Sequence, residues 1–202
     1  SASYRALMRG ALAYMDEPVI NCLVLGLPVS MFGKEESRLA AEWTGVHKIP
    51  HATRREARIV EVKRVVVVPQ PVGAYMAALS AGQVSTAAGN ALVIDPGYYT
   101  IDWIVVSPRM ALVHSRSGSI LGGVSALLLS LANSLNRELR SPIQILAPLE
   151  TALRTGRPAH LWGRQFPLDR HMRGVRSKTE GYVSDLVSRL GNHSDIPQIV
   201  IA

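Results

Sequence analysis

The stretch from Ala91 to Val106 constrains the fold more than any other part of the chain. Two apolar runs, Ala91-Leu92-Val93-Ile94 and Ile101 to Val106, flank the segment Asp95-Pro96-Gly97-Tyr98-Tyr99-Thr100, and Asp102 stands at the head of the second run. Short apolar runs bounded by Pro and Gly read as buried strands joined by a turn. The turn admits two readings: a plain hairpin connection, or a loop that holds Mg²⁺ and a nucleotide phosphate.

Ahead of it, strands and helices alternate. Leu7, Ala11, Leu12 and Met15 fall at helical spacing within Tyr4–Met15, and Asp16-Glu17-Pro18 stops that helix. Val19–Leu25 is nearly continuous in apolar residues, as a central strand covered on both faces is, and ends at Gly26-Leu27-Pro28-Val29. Lys34–Trp43 reads as a helix and Gly45–Thr53 as a loop. His47 and His51 are four apart, a spacing that suits a metal on a helix, but Pro50 between them opposes a helix. Arg55–Val68 closes in four consecutive valines, a β-branched strand stopped by Pro69-Gln70-Pro71. Val72–Ala81 reads as a helix and Gly82–Asn90 as a polar link. This is the grammar of an α/β domain, whose ligands collect at the carboxyl ends of strands.

Beyond the central stretch, Met110–His114 reads as a third strand and Ser115–Ser119 as a Ser/Gly loop. Gly122-Gly123 opens a long helix, Val124–Arg140, with Leu127, Leu128, Leu131, Leu135 and Leu139 on its core face. Glycines at a helix entry let backbone N–H groups approach a phosphate, or serve a tight packing turn. Gln144–Arg154 reads as helical despite Pro148, and Gly156–Arg173 as loop-rich with Trp162 and Phe166 as anchors. Val175–Leu190 is a basic amphipathic helix, and Ile196–Ala202 a last strand.

With 48% hydrophobic and 18% charged residues, the chain can bury a core and is not of the disordered class. Its net charge of +7 favours an anionic partner, although the basic residues are not interleaved with aromatics as a single-strand groove requires. The lone Cys22 excludes an internal disulfide, fits a cytoplasmic setting, and reads as a buried, inert thiol. No stretch is long and apolar enough to span a membrane. The Ser-Ala-Ser start and the ending in an apolar run read as the marks of a piece of a longer protein.

No P-loop, zinc pattern, nucleophile elbow or dinucleotide fingerprint is present. What remains is a set of polar residues at strand ends. A carboxylate such as Asp95 at a strand end suits Mg²⁺, usually through water. Gln70 at another strand end can orient a water for attack on a γ-phosphate. Asp95-Pro-Gly-Tyr-Tyr-Thr-Ile-Asp102 resembles the second phosphate-binding motif, Asp-x-Gly-x-x-Thr-x-Asp, of the superfamily of actin, sugar kinases and heat-shock-chaperone ATPases. The order of elements through Leu121-Gly122-Gly123 and its helix is similar to the plasmid-segregation actins of the ParM/StbA type. The Asp-Pro-Gly, the aromatics and Asp102-Trp103 most resemble the actin-like protein D family of PRTRC plasmid systems.

The resemblance implies ribonuclease H-like lobes, each a mixed sheet with flanking helices. Residues 1–90 would be the latter part of the first lobe, and 91–202 the second, with a helical subdomain at about 141–195. It implies an ATPase that polymerises into filaments and segregates DNA through a DNA-bound adaptor protein or DNA itself, with ATP and Mg²⁺ as cofactors. Asp95 would bind Mg²⁺; Gln70 would position the attacking water; Gly97, Tyr98 and Thr100 would face the β- and γ-phosphates; Gly122 and Gly123 would lie near phosphate and ribose. The family's first phosphate loop and its adenosine-binding Gly-Gly are not within these residues, so weak or no hydrolysis is expected from this stretch alone. Two alternatives stand: a sugar kinase or chaperone of the same superfamily, and a nucleotide- or nucleic-acid-binding module without efficient hydrolysis.

Overall fold

The computed structural model describes residues 2–50, 57–139 and 142–202. The chain forms two compact units, Ser1–Gly73 and Ala74–Ala202. The first contains α1 (Ala2–Met15), β1 (Val19–Ile20), β2 (Leu23–Leu27), α2 (Val29–Trp43), β3 (Gly45–Ile49), β4 (Arg58–Val62) and β5 (Val65–Pro69).

The apolar run Val19–Leu25 is not one strand. β1 runs parallel to β4 and β2 parallel to β5, with the same register offset on both sides of a break at Asn21-Cys22. Backbone bonds from the Lys63 N–H to the Ile20 carbonyl (2.9 Å) and from the Leu23 N–H to the Arg64 carbonyl (2.8 Å) bridge that break. Cys22 lies in it and is exposed, contrary to the expected buried thiol. Nor are both faces of β2 covered: Leu23 and Leu25 are buried while Val24 is 61% exposed. Continuous hydrophobicity does not by itself distinguish one covered face from two.

Gly45–Ile49, expected as a loop, is β3, antiparallel to β4 on the side away from β1. His47 sits on it with Nε2 2.8 Å from the Trp43 carbonyl and its ring 5.3 Å from the Trp43 ring. His51, Thr53, Arg54 and Arg55 lie outside the described residues, among which no group of three or more His, Cys, Asp and Glu side chains is placed to hold a metal ion. Leu12 of α1 and Leu39 and Trp43 of α2 close over Leu25, Val60 and Val62 to form the core.

A half-buried polar anchor ties α1 to this sheet. Arg58 of β4 pairs with Asp16, and its Nη2 donates to the Leu12 carbonyl (3.0 Å) and the Glu17 carbonyl (3.3 Å). The guanidinium therefore supplies a donor to one of the carbonyls that a helix C-terminus leaves without a partner.

α3 (Pro71–Ser80) carries the division between the units. The second unit continues with a 3₁₀ turn at Thr86–Ala88, β6 (Ala91–Pro96), β7 (Thr100–Val106), a 3₁₀ turn at His114–Arg116, β8 (Gly118–Leu121) and α4 (Gly123–Leu139). Then come α5 (Ala147–Thr155), β9 (Ala159–Leu161), β10 (Arg164–Phe166), a 3₁₀ turn at Asp169–His171, α6 (Met172–Leu190) and β11 (Gln198–Ile201). The division falls ahead of residue 90 because the polar link is bonded to the end of the chain. Ser85 N–H donates to Gln198 Oε1 (2.7 Å), Gln198 Nε2 donates to the Ser85 carbonyl (2.9 Å), and Asn90 donates to Asp195 (2.6 Å).

The sheet is mixed, in the order β11-β6-β7-β8, with β11 parallel to β6 and the other pairs antiparallel. The third strand is Gly118–Leu121 and not Met110–His114, which contributes one isolated bridge, Val106 to Leu112. A tight turn takes up the expected segment: Ser107 and Ala111 share a backbone bond, and Met110 adopts a φ of 58°. Gly118 lets β8 lie on the Trp103 ring, where a Cβ would come within 2.6 Å.

Leu186 and Leu190 of α6 pack on Leu92, Trp103, Val105 and Ile120 of the sheet. Leu128, Leu131 and Leu135 of α4 face Leu149 of α5, Ala159 of β9 and Val175 of α6. Pro148 lies in the first turn of α5, where its missing N–H costs nothing, so it starts the helix. Phe166 packs against this core, but Trp162, expected as an anchor, is 59% exposed at the tip of the β9–β10 hairpin. Arg140, the expected last residue of the long helix, lies outside the described residues, among which no helix is long and apolar enough to cross a membrane.

The Arg58 anchor sets one expectation. Arg58→Ala lowers the unfolding free energy by about 1.5–3 kcal/mol, the range for hydrogen bonds to a charged group. Arg38→Ala, which breaks exposed pairs with Glu35 and Glu42 on α2, costs clearly less, because solvent screens both pairs. Urea unfolding of the two variants measures the difference.

Candidate functional site

The β6–β7 hairpin brings two acids together. Asp95 and Asp102 are direct cross-strand partners, followed by Pro96 and Ile101. Directly opposed residues of an antiparallel pair share one face of the sheet. Asp102 is 2% exposed, and the Thr100 hydroxyl donates to its Oδ2 at 2.7 Å. The half-buried Asp95 carboxyl makes no hydrogen bond or ion pair among the described residues. Burial, and secondly the charge of Asp102, hold its pKa above the ordinary value of 3.8. A carboxylate placed this way favours a bound cation, which removes both penalties.

The segment after Asp95 turns tightly, with the Gly97 N–H donating to the Asp95 carbonyl at 3.0 Å. Its next three carbonyls then face the start of α4. Gly97 O accepts from Val124 N–H (3.0 Å), Tyr98 O from Ser125 N–H (2.8 Å) and Tyr99 O from Gly122 N–H (2.9 Å). The loop thereby satisfies donors that a helix N-terminus leaves unpaired.

This changes the reading of the glycine pair. The N–H groups of Val124 and Ser125 are already occupied by the loop, and the glycines serve close packing. A Cβ on Gly123 would lie 2.3 Å from the Gly97 carbonyl oxygen. Gly122 has φ +136°, and a Cβ there would lie 2.2 Å from the Tyr182 hydroxyl. Donors left for an anion stand at the loop tip and at the helix entry: no backbone hydrogen bond among the described residues takes the N–H of Tyr98, Tyr99 or Gly123. The two tyrosine rings pack edge to face, 4.9 Å apart.

Asp95, Gly97, Tyr98, Thr100, Gly122 and Gly123 are thus assembled into one loop-and-helix junction of the second unit. Gln70 belongs to the first unit, at the carboxyl ends of β2 and β5. Its N–H donates to the Leu27 carbonyl (2.8 Å), and its exposed side chain crosses Gly26, where a Cβ would lie 3.0 Å from Gln70 Cγ. The sequence reading missed two partners, Gly26 and Tyr182. Each acts through a residue distant along the chain, so no local pattern points to it.

The profile of the N-terminal domain of actin-like proteins matches residues 1–73. No curated protein matches the chain significantly. Among solved structures, the chain superposes on the archaeal actin homologue Ta0583 in complex with ADP with a TM-score of 0.82 at 21% identity, covering 98% of this chain and 64% of that one. The actin-like protein Alp7A gives 0.73 at 14% identity, covering 100% and 62%. ParM from a 15-stranded Clostridium botulinum filament gives 0.66 at 17% identity, covering 89% and 55%. The fold is the actin-like one, and the chain spans less than two thirds of the length of these structures.

Two outcomes follow from the junction. Gly123→Ala forces backbone apart at Gly97 and Tyr98 and costs about 1–3 kcal/mol of stability, read by urea unfolding. The raised pKa of Asp95 means that, above pH 3.8, the folded chain keeps a proton that the unfolded chain has lost. Stability from this group is therefore present at low pH and is lost as pH rises through the raised pKa. In metal-free buffer Asp95→Asn removes that loss and raises stability at neutral pH, which unfolding midpoints across the range will reveal.

Proposed function

We propose that this chain carries part of the Mg²⁺-nucleotide site of an actin-like ATPase that assembles into filaments and moves plasmid or mobile-element DNA. The observation that carries the reading is the Asp95 loop. A carboxylate that has no hydrogen-bond or ion-pair partner among the described residues, its pKa raised by burial and a second acid, shares this loop with two N–H groups, of Tyr98 and Tyr99, that no backbone bond there takes.

These residues fit Mg²⁺. That ion takes one or two protein carboxylates and completes its shell with water and phosphate oxygens. Asp95 would hold it, and when bound it would neutralise charge on the phosphates. Gly97, Tyr98 and Thr100 line the place for the β- and γ-phosphates, with the Tyr98 and Tyr99 N–H groups as donors. Thr100 also fixes Asp102. Gly122 and Gly123 hold the loop in shape beside the phosphates and ribose. Gln70, with its side chain exposed at a strand end, is assigned to orient the attacking water.

The ADP bound to the archaeal homologue supports a nucleotide, and the filament of the Clostridium botulinum relative supports self-association. Head-to-tail contacts between copies would not close, and so would give a filament. The Asp-Pro-Gly-Tyr-Tyr-Thr-Ile-Asp-Trp sequence supports a place among the PRTRC-type plasmid actins, with a DNA-bound adaptor or DNA as cargo. A second reading, nucleotide binding without efficient hydrolysis, is favoured by Pro96, which has no N–H to offer a phosphate.

The test is phosphate release and pelleting of the full-length protein with MgATP. Gln70→Ala lowers turnover about a hundredfold while nucleotide affinity stays nearly unchanged. Nucleotide binding and pelleting without phosphate release would select the second reading. No binding of ATP with or without Mg²⁺ would refute both.

A further inference from the structure

A polar groove of about 660 Å³ runs between α4 and α6 in the second unit, apart from the Asp95 loop. Gly174 makes it possible: the helices approach so closely there that a Cβ on Gly174 would lie 3.0 Å from Ser130 Oγ. The floor is small and polar, and the walls are cationic. α4 contributes Ser130, Asn133 and Arg137 at positions that share a helix face; α6 and the turn before it contribute Arg170, Arg173 and Lys178. Arg137, Arg173 and Lys178 make no ion pair or hydrogen bond among the described residues. Of the nearby acids, Glu138 is engaged below, 3.2 Å from Nε2 of the buried His171 and 3.7 Å from Arg170, while Asp169 and Glu180 line an adjoining hollow with Arg173 and Arg176. His171 Nδ1 is in turn 2.9 Å from Ser134 Oγ, which pins the Arg170 turn to α4.

We infer that this groove binds an extended acidic peptide segment of a partner protein. Three features choose that ligand over a nucleic acid. Ser130 and Arg137 are about 10 Å apart along the axis, a length that matches about three residues of extended peptide. Helices in contact stand about 8–10 Å apart, too narrow to admit a duplex. No Phe, Tyr or Trp lines the groove to stack unpaired bases, as single-strand binding requires. Arginine forks on the walls match carboxylates in pairs, and the Ser and Asn side chains of the floor can bond a peptide backbone.

The test needs no nucleotide, so its failure is separate from failure of the proposed function. Fluorescein-labelled hexaglutamate is titrated with this chain and followed by anisotropy, beside oligothymidylate and a short DNA duplex. The double variant Arg137→Glu/Arg173→Glu weakens hexaglutamate binding at least about tenfold. Asn133→Trp, which fills the groove at constant charge, gives a similar loss. Arg157→Glu, an exposed arginine elsewhere in this unit, leaves affinity within about twofold. Equal affinity for the parent chain and the two groove variants would overturn the proposal. So would DNA binding that these variants abolish, with no binding of hexaglutamate.

Discussion

Three backbone hydrogen bonds hold the centre of the second unit together: those from Val124, Ser125 and Gly122 to the carbonyls of Gly97, Tyr98 and Tyr99. They join the tip of the β6–β7 hairpin to the first turn of α4. The helix start gains acceptors for donors that would otherwise be unpaired. The loop, in exchange, has its carbonyls turned towards the helix. Its open N–H groups, at Tyr98 and Tyr99, remain for a ligand. The same bonds explain the glycines, because backbone this close leaves no room for a Cβ at Gly123. Tyr182 of α6 extends the constraint by filling the space over Gly122.

Charge is arranged with the opposite economy. Asp102 is buried with a hydroxyl donor, while its cross-strand partner Asp95 has no donor among the described residues. A fold selected for stability alone would avoid two opposed acids on one face of a sheet, since like charges directly opposite are destabilising. The pair makes physical sense where a cation completes it. That is why the acids, more than the glycines, carry the functional argument. The glycines would be needed by this junction with or without a ligand.

The parts legible in the sequence are those where local pattern and tertiary role coincide. Ala91–Val106 reads as two strands and a turn because Pro, Gly and paired apolar runs are local signals, and the structure pairs Ala91 with Val106 through Pro96 with Ile101. The α4 core face is legible for the same reason. Gly45–Ile49 is not, because Gly, His and Lys give a poor strand signal and β4, its partner, decides the matter. β8 was hidden likewise. A segment of Gly and Ser becomes a strand because Gly118 alone fits beneath Trp103. At the site, the sequence left the Gly122-Gly123 entry open between phosphate approach and a tight packing turn; in the structure the loop takes the N–H groups of Gly122, Val124 and Ser125.

The central claim is that the tip of the Asp95 loop receives the phosphates. Amide hydrogen exchange of the full-length protein at Tyr98 and Tyr99 tests it most directly. The account predicts slowed exchange at both amides with MgATP, and a return to the free rate when Mg²⁺ is chelated. Unchanged exchange at these two amides in protein saturated with MgATP would contradict it.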